Sequence, residues 1–109
     1  MVEAKPSKYK NRKVVVDGIT FDSAKEGRRW IELTLLAKTG AISNLRRQVR
    51  FPLSVNGQLI CTYIADFCYT ENGHEICEDV KSAYTRKLPI FRIKLKLMRA
   101  IHGVAIRET

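Results

Sequence analysis

The sequence of 109 residues carries 20 Lys and Arg against 11 Asp and Glu, which gives a formal net charge of +9, and 45% of its residues are hydrophobic. This length can bury the core of one small domain, and no apolar run reaches the roughly 18 residues of a membrane-spanning helix. No hydrophobic signal-peptide segment stands at the N-terminus, so we expect a soluble, cytoplasmic protein. The excess of positive charge predicts a phosphate-rich partner.

The chain begins with a basic arm and a predicted hairpin. Residues 1–12 are polar and lack hydrophobic periodicity, which predicts a flexible arm ahead of a single domain over 13–109. Asp17-Gly18 stands between two short runs of β-forming residues, and this dipeptide suits the positive φ angles of a two-residue turn. A short β-hairpin is therefore predicted at the start of the domain.

A helix is predicted after the hairpin, over about residues 24–38. Ser23 offers an N-cap, and Glu26 follows it three residues later as in a capping box. Gly40 lies where a helix stop is expected. Trp30 and the apolar residues spaced from it at helical intervals form one face, which should pack against a sheet.

Three strands are predicted next, as an antiparallel meander. Two Asn-Gly turns, at Asn56 and Asn72, separate strand-like runs at about 48–55, 58–70 and 75–81. The middle run is long for a strand, so we expect a bend or bulge near residues 62–66.

The last elements predicted are a second helix and a closing strand. Pro89 suits a first helical turn, and the apolar residues after it predict a helix to His102, with Gly103 as its C′ residue. A final strand at about 104–106 should run parallel to the sheet after this helical crossover. The segment 82–88 is expected to be a polar connection.

The three cysteines, Cys61, Cys68 and Cys77, are odd in number and include no CxxC pair. We therefore expect buried free thiols rather than a disulfide or a zinc site.

Two aspartates and a lysine on the predicted strands are candidates for chemistry. Side chains alternate along a strand, so Asp79 and Lys81 should share one face, while Glu78 belongs to the other. Asp66 lies within the longest strand run, where aspartate is disfavoured. An acid, an amine and a second acid from a neighbouring strand could thus meet.

Glu26 would add a third acid, because it lies on the helix stripe that faces the predicted sheet. Oxygen ligands of this kind suit Mg²⁺, which keeps several waters for its substrate. Each acid also has a structural interpretation. Glu26 completes the capping box, Asp66 could face solvent at a bulge, and Asp79 with Lys81 could form a surface ion pair.

Basic residues along the whole chain are candidates for contacts with nucleic acid. Gln48 could hold a phosphate or the attacking water, or simply face solvent. Lys94 lies near the middle of the apolar face of the second helix, so it could extend to the helix edge or reach the active site or DNA. The full candidate set is Lys8, Lys10, Arg12, Lys13, Lys25, Arg29, Arg47, Gln48, Arg50, Arg86, Lys87 and Lys94.

The arrangement resembles the PD-(D/E)XK nuclease superfamily, whose core is an αβββαβ unit. The likeness covers about residues 21–106. Within that superfamily the chain is similar to small phage-encoded proteins, through the segments SKYKNRK, DGITFDS, YIADF and EDVKS, and its spacing resembles junction-resolving endonucleases such as phage endonuclease I. Ala65, rather than the proline of the motif, precedes Asp66.

The resemblance implies an α/β fold, restriction-endonuclease-like, with a mixed central sheet flanked by helices. It implies that Glu26, Asp66, Asp79 and Lys81 are catalytic, and that the three acids hold Mg²⁺ or Mn²⁺. The implied reaction is hydrolysis of DNA phosphodiester bonds, with branched DNA (a Holliday junction) as substrate in phage recombination or replication in a bacterial host. Paired cuts imply a homodimer. The alternatives are a non-catalytic nucleic-acid-binding module, or a nuclease that acts on linear duplex or RNA.

Overall fold

A β-hairpin, a four-stranded mixed sheet and helices make up the α/β architecture of the computed structural model, which describes residues 12–109. Lys8, Lys10 and the rest of the predicted arm through residue 11 lie outside the described residues. The elements in chain order are β1 (Val14–Val16), β2 (Ile19–Phe21), α1 (Ala24–Lys38), β3 (Ser43–Val55), β4 (Gln58–Glu71), β5 (His74–Asp79), α2 (Ala83–Arg86), α3 (Pro89–Leu97) and β6 (Ile106–Glu108).

The hairpin and α1 form as predicted, because their local signals are strong. Asp17 and Gly18 both take positive φ angles, of 52° and 76°, as a two-residue hairpin turn requires. The Ser23 hydroxyl accepts a hydrogen bond of 3.1 Å from the amide of Glu26, which caps α1 at its predicted start. The hairpin packs against α1 at Gly27, where a Cβ atom would lie 2.9 Å from Val14 Cγ2.

The sheet has the strand order β3-β4-β5-β6, antiparallel except for the β5–β6 pair, which is parallel. The meander and the parallel last strand are thus confirmed. β3 begins at Ser43, five residues before the predicted start, and β5 ends at Asp79, so Lys81 lies just beyond the strand. The register between β3 and β4 shifts in two places, between Ser43 and Arg46 and between Leu53 and Ser54. The residues of β4 opposite these places lie outside the bulge predicted at 62–66.

A change of face within β4 nevertheless occurs at Asp66. Ala65 packs with Phe91 on the α3 side of the sheet, and Phe67 packs with Leu33 on the α1 side. Strict alternation would keep residues 65 and 67 on one face. The strand therefore changes its inward-facing side at residue 66.

The neighbouring strand β3 changes face at the matching position. Val49 packs on the α3 side and Leu45 on the α1 side. Gln48 lies opposite Asp66 in the register and has a φ of 53°, a left-handed conformation that is uncommon for a residue other than glycine. Both strands therefore change face at this position, and each contributes to a core on either side of the sheet.

The segment after β5 contains a short helix that the sequence pattern did not predict. Ser82 caps α2 by accepting a hydrogen bond of 3.2 Å from the amide of Thr85. The predicted helix over 89–102 consists of α3 and a π-helical continuation, Met98–His102, which ends at Gly103 with a φ of 70°. β6 lies two residues later than predicted. No helix within residues 12–109 is long and apolar enough to cross a membrane.

The expectation of three free thiols was wrong for two of the cysteines. Cys68 and Cys77 lie directly opposite each other on β4 and β5, with Cα atoms 4.1 Å apart, and their sulfur atoms are bonded. Cys61 is free and half-buried. The strand register, rather than the sequence spacing, decides which cysteines can meet.

Replacing Gly27 with alanine should destabilise the protein, although alanine favours helix more than glycine does. The added Cβ would lie 2.9 Å from Val14 Cγ2 and 3.3 Å from Val16 Cγ2, so the hairpin would have to move. We expect Gly27→Ala to lower the free energy of unfolding by about 1–3 kcal/mol in urea titrations. Arg28→Ala, at the exposed neighbouring position, is the control and should change it by less than about 0.5 kcal/mol. A stabilised Gly27→Ala variant would contradict this packing.

Candidate active site

Asp66 and Asp79 cross-link the ends of β4 and β5 through their side chains. Asp79 Oδ1 accepts a hydrogen bond of 2.9 Å from the Asp66 amide, and Asp66 Oδ2 accepts one of 2.9 Å from the Val80 amide. Regular pairing between these strands stops at Phe67 and Glu78, immediately before this point. The two carboxylates therefore replace ladder hydrogen bonds where the strands separate, and both are buried.

The second oxygen of Asp79 faces a tyrosine and the lysine of the predicted motif. The buried Tyr63 hydroxyl donates a hydrogen bond to Asp79 Oδ2, and Lys81 Nζ lies 4.0 Å from the same oxygen. Burial raises the pKa of Asp79 above its ordinary range, and the nearby Asp66 carboxylate raises it further. The pKa of Tyr63 is also raised, by burial and by Asp79, which keeps the hydroxyl a donor. A buried tyrosine needs such a partner, and this was the signal that could have found Tyr63.

Glu26 is buried on α1, and within residues 12–109 its carboxylate forms no hydrogen bond or ion pair. Burial raises its pKa from 4.5 to about 7, and the charges of Asp66 and Asp22 raise it as well, while Arg47 and Lys81 act in the opposite direction. The capping box accounts for the Glu26 amide, which Ser23 accepts, but not for the inward-facing carboxylate. A buried, unpaired acid of this kind is typical of functional sites.

Some of these side chains line a polar cavity of about 190 Å³. Glu26, Asp66 and Lys81 line it together with Asp22, Ser23, Val80, Ser82 and Thr85. We name it the acidic cavity. Asp22 was not among the predicted site residues; it directly precedes the helix N-cap, and its exposed carboxylate pairs with Lys13 at 3.1 Å. Asp79 does not line this cavity and lies behind Asp66.

The carboxylate oxygens of the cavity are suitable ligands for a hard divalent cation. These acids nevertheless lie farther apart than the ligands of a bound metal ion do. Asp66 Oδ1 and both Glu26 oxygens are without a partner among residues 12–109, and carboxylate oxygens are what Mg²⁺ prefers. A cation there would offset the repulsion that raises the Glu26 pKa. In the described part of the chain, the one group of three potential ligands within 4.8 Å of each other is Cys68, Glu75 and Cys77, whose sulfurs form the disulfide.

The neighbouring acid Glu78 differs sharply from Glu26, because its charge is fully compensated. Arg29 donates to both of its oxygens, at 2.7 and 2.9 Å, and the Tyr69 hydroxyl donates to one of them. Arg107 in turn donates to Tyr69 at 3.2 Å. Glu78 faces α1 through these contacts, and its role in this network is structural.

Some of the residues predicted to contact nucleic acid instead form contacts within the protein, and others are exposed to solvent. Three arginines serve internal contacts: Arg29 binds Glu78, Arg47 lies 4.8 Å from the centre of the Phe21 ring, and Arg86 donates to Thr109 O at 2.9 Å. Lys25 is exposed and donates to Lys81 O at 3.3 Å. Lys94 lines a second cavity beside Asp79. The remaining described candidates are exposed: Arg12, Lys13, Gln48, Arg50 and Lys87.

A family model described as "Protein of unknown function (DUF1064)" matches residues 6–104, most of the chain. The chain belongs to this DUF1064 family. Neither a curated protein nor a solved structure matches it. The DUF1064 match covers every residue of the acidic cavity.

Removing the charge of Glu26 should stabilise the protein at neutral and alkaline pH. Its folded-state pKa of about 7 exceeds the ordinary 4.5, so the folded protein binds more protons between these values and loses stability as the pH rises through this window. We expect Glu26→Gln to raise the free energy of unfolding at pH 8 by on the order of 1 kcal/mol, with no gain below pH 4. Urea titrations across pH 4–8 measure this effect. Glu71→Gln, a partly exposed acid at the far end of β4, is the matched control. A destabilised Glu26→Gln protein at pH 8 would instead mean that the carboxylate has a structural partner.

Replacing Arg29 should destabilise the fold and not only remove a positive charge from the surface. Arg29→Met leaves the Glu78 carboxylate buried without its bidentate partner, so we expect a loss of about 3–5 kcal/mol in the free energy of unfolding. The double variant Arg29→Met/Glu78→Leu should recover most of this loss. Arg28→Met, on the exposed side of the same helix turn, controls for loss of positive charge. Unchanged stability with weakened DNA binding would assign Arg29 to the nucleic-acid surface instead.

Proposed function

We propose that this protein is a metal-dependent nuclease that hydrolyses phosphodiester bonds in DNA. The observation that supports the proposal most directly is the acidic cavity, in which two buried carboxylates lie beside Lys81: Glu26, which has no hydrogen-bond partner among residues 12–109, and Asp66, which accepts one hydrogen bond through Oδ2. The cavity belongs to a chain with a net charge of +9. Because carboxylates repel phosphates, concentrating buried acids in a basic protein is expected where a cation mediates between acids and nucleic acid.

Each catalytic group has a role that follows from its contacts. The Val80 amide donates to Asp66 Oδ2, whereas Oδ1 has no hydrogen-bond partner among residues 12–109, and Asp66 lines the cavity. Glu26 supplies a second oxygen ligand from α1. Asp79 positions the Asp66 backbone and lies 4.0 Å from Lys81. Both of its oxygens already accept hydrogen bonds, from the Asp66 amide and from Tyr63, and it does not line the acidic cavity, so the proposal treats it as a positioning residue. Lys81 offsets the phosphate charge and orients the attacking water.

The cation would supply Lewis acidity toward the phosphate and activation of water at neutral pH. Glu26 and Asp66 would hold Mg²⁺ or Mn²⁺. The order α1, β3, β4, β5, α3, β6 agrees with the αβββαβ unit of restriction-endonuclease-like proteins, and we include that fold in the proposal. Fold alone does not decide the reaction, so the proposal depends on the cavity.

The proposed substrate is branched DNA, cut in the cytoplasm of a bacterial host by a homodimer. Exposed cations, including Lys25, Arg50 and Lys87, would contact the backbone and make binding strongly dependent on salt. A homodimer would place two cavities on the two strands that a junction resolvase cuts.

A non-catalytic nucleic-acid-binding module is the second candidate, and one observation favours it. Asp66 and Asp79 both accept hydrogen bonds from backbone amides, which is a complete structural role without any metal. In that case Glu26 would be a buried acid that is neutral below pH 7. The two candidates differ in whether the acids are needed for anything besides folding.

Cleavage of a labelled four-way junction and a matched linear duplex, with Mg²⁺ or with EDTA, distinguishes these candidates. We expect paired cuts near the branch point in Mg²⁺ and none in EDTA. Asp66→Asn, Glu26→Gln and Lys81→Met should each lower the rate by about 100-fold or more, because each removes a group that acts on the reacting phosphate. Mg²⁺ should also raise the melting temperature of the wild type, and less so that of Glu26→Gln.

Asp17→Asn is the matched control, since it makes the same chemical change at an exposed turn that asparagine also suits. It should cut like the wild type. Equal cutting of junction and duplex would retain the nuclease and remove the branch preference. DNA binding without cleavage in either metal would favour the binding module.

A further inference from the structure

A second cavity, of about 300 Å³, lies on the α3 side of the sheet beside the acidic cavity. Its lining is mostly apolar, with Ile64 from β4 and Ile90 and Phe91 from the start of α3 as its main walls. Lys81 and Lys94 bring positive charge to it. We name it the apolar groove. Its volume lies near the lower end of the roughly 300–1,000 Å³ of small-molecule pockets.

The groove and the acidic cavity share a wall, because Lys81 and Thr85 line both. A group bound in the groove would therefore contact residues that also line the cavity of Glu26 and Asp66. Asp79 also lines the groove, but its side chain is almost fully buried and hydrogen-bonded to Tyr63. The accessible charge in the groove is therefore that of the two lysines.

Two of the three apolar walls are open to solvent, whereas Phe91 is buried and belongs to the core. Ile90 is 60% exposed and Ile64 is 38% exposed. Exposed apolar side chains that line a concave site commonly mark a binding site. A ligand that suits both the walls and the lysines must combine a flat or apolar part with a negative charge.

We propose that the groove receives an unstacked nucleobase next to the phosphate at the acidic cavity, an inference that rests on the proposed nuclease function. In an intact duplex the bases are stacked inside the helix and only phosphates and groove edges reach a protein surface. An apolar pocket at the cutting site is filled only when a base leaves the stack. The substrate class is therefore DNA with an unstacked nucleotide at the cut site, such as a branch point.

In this arrangement Ile64, Ile90 and Phe91 contact the base, and Lys94 contacts the adjoining phosphate. Lys81, whose Nζ lies 5.9 Å from the centre of the Phe91 ring, stands between the base and the phosphate. This gives Lys94 a function on an otherwise apolar helix face. It also assigns the preference for branched DNA to a definite surface.

The test uses the fluorescence of 2-aminopurine, which rises when the base leaves its stack. The probe replaces the branch-point nucleotide of a four-way junction and the same position of a linear duplex, and all binding is measured in EDTA, so no cleavage is required. With wild-type protein we expect the junction signal to rise about twofold or more on binding. Ile90→Ser should abolish the rise and weaken junction binding about fivefold or more relative to duplex binding.

Ile93→Ser is the matched control, because Ile93 is 52% exposed on the same helix and does not line the groove. It should keep both the signal and the affinity within about twofold. Lys94→Met should weaken junction binding, whereas Lys96→Met, which lies outside the groove, should not. Unchanged melting temperatures would show that each variant folds.

Several outcomes would overturn the groove proposal. Junction binding without any change in fluorescence would do so, as would equal losses from Ile90→Ser and Ile93→Ser. A dimer that Ile90→Ser alone converts to monomer would mean that a second copy covers the groove. A fluorescence rise in a protein that does not cut DNA in Mg²⁺ would keep the base site and overturn the nuclease function instead.

Discussion

The pair of crossed hydrogen bonds between Asp66 and Asp79 is the constraint on which the site depends. Where β4 and β5 separate, two backbone amides lose their partners in the sheet, and a buried amide without an acceptor is costly. The two carboxylates accept from them at 2.9 Å each. Asp66 also lines the acidic cavity. The hydrogen bond that it accepts from the Val80 amide explains how aspartate is tolerated within a strand, and in the proposed function the same residue would bind the cation.

The two buried glutamates differ in how far other groups compensate their charge. Glu78 has a bidentate arginine and a tyrosine hydroxyl, so its burial is balanced by strong hydrogen bonds. Glu26 lies on the same side of the sheet with a pKa raised to about 7 and no partner among residues 12–109. This difference is the main support for the proposal that the Glu26 carboxylate binds a ligand.

Local signals in the sequence predicted most of the elements, whereas the features set by register were not predictable. Asp17-Gly18, the Ser23 cap and the two Asn-Gly turns each determine backbone geometry within a few residues, and all formed as predicted. The Cys68–Cys77 bond depends on which residues of β4 and β5 lie opposite each other. The change of face at Asp66 lies at the same position along the sheet as the left-handed Gln48 in a different strand. A single sequence contains no direct record of such pairings.

The candidate site shows the same division between local and long-range information. Asp66, Asp79 and Lys81 could be selected by alternation, but alternation alone does not reveal that Asp79 turns away to Tyr63 while Glu26 and Asp66 face the cavity. The missed helix α2 matters most here. Its cap Ser82 and its residue Thr85 line the acidic cavity, and Thr85 also lines the apolar groove. A segment that composition indicates only as a polar connection thus forms the wall between two cavities of opposite character. Because Lys81 lies between the end of β5 and this segment, it lines both cavities, and its position follows from where the strand ends.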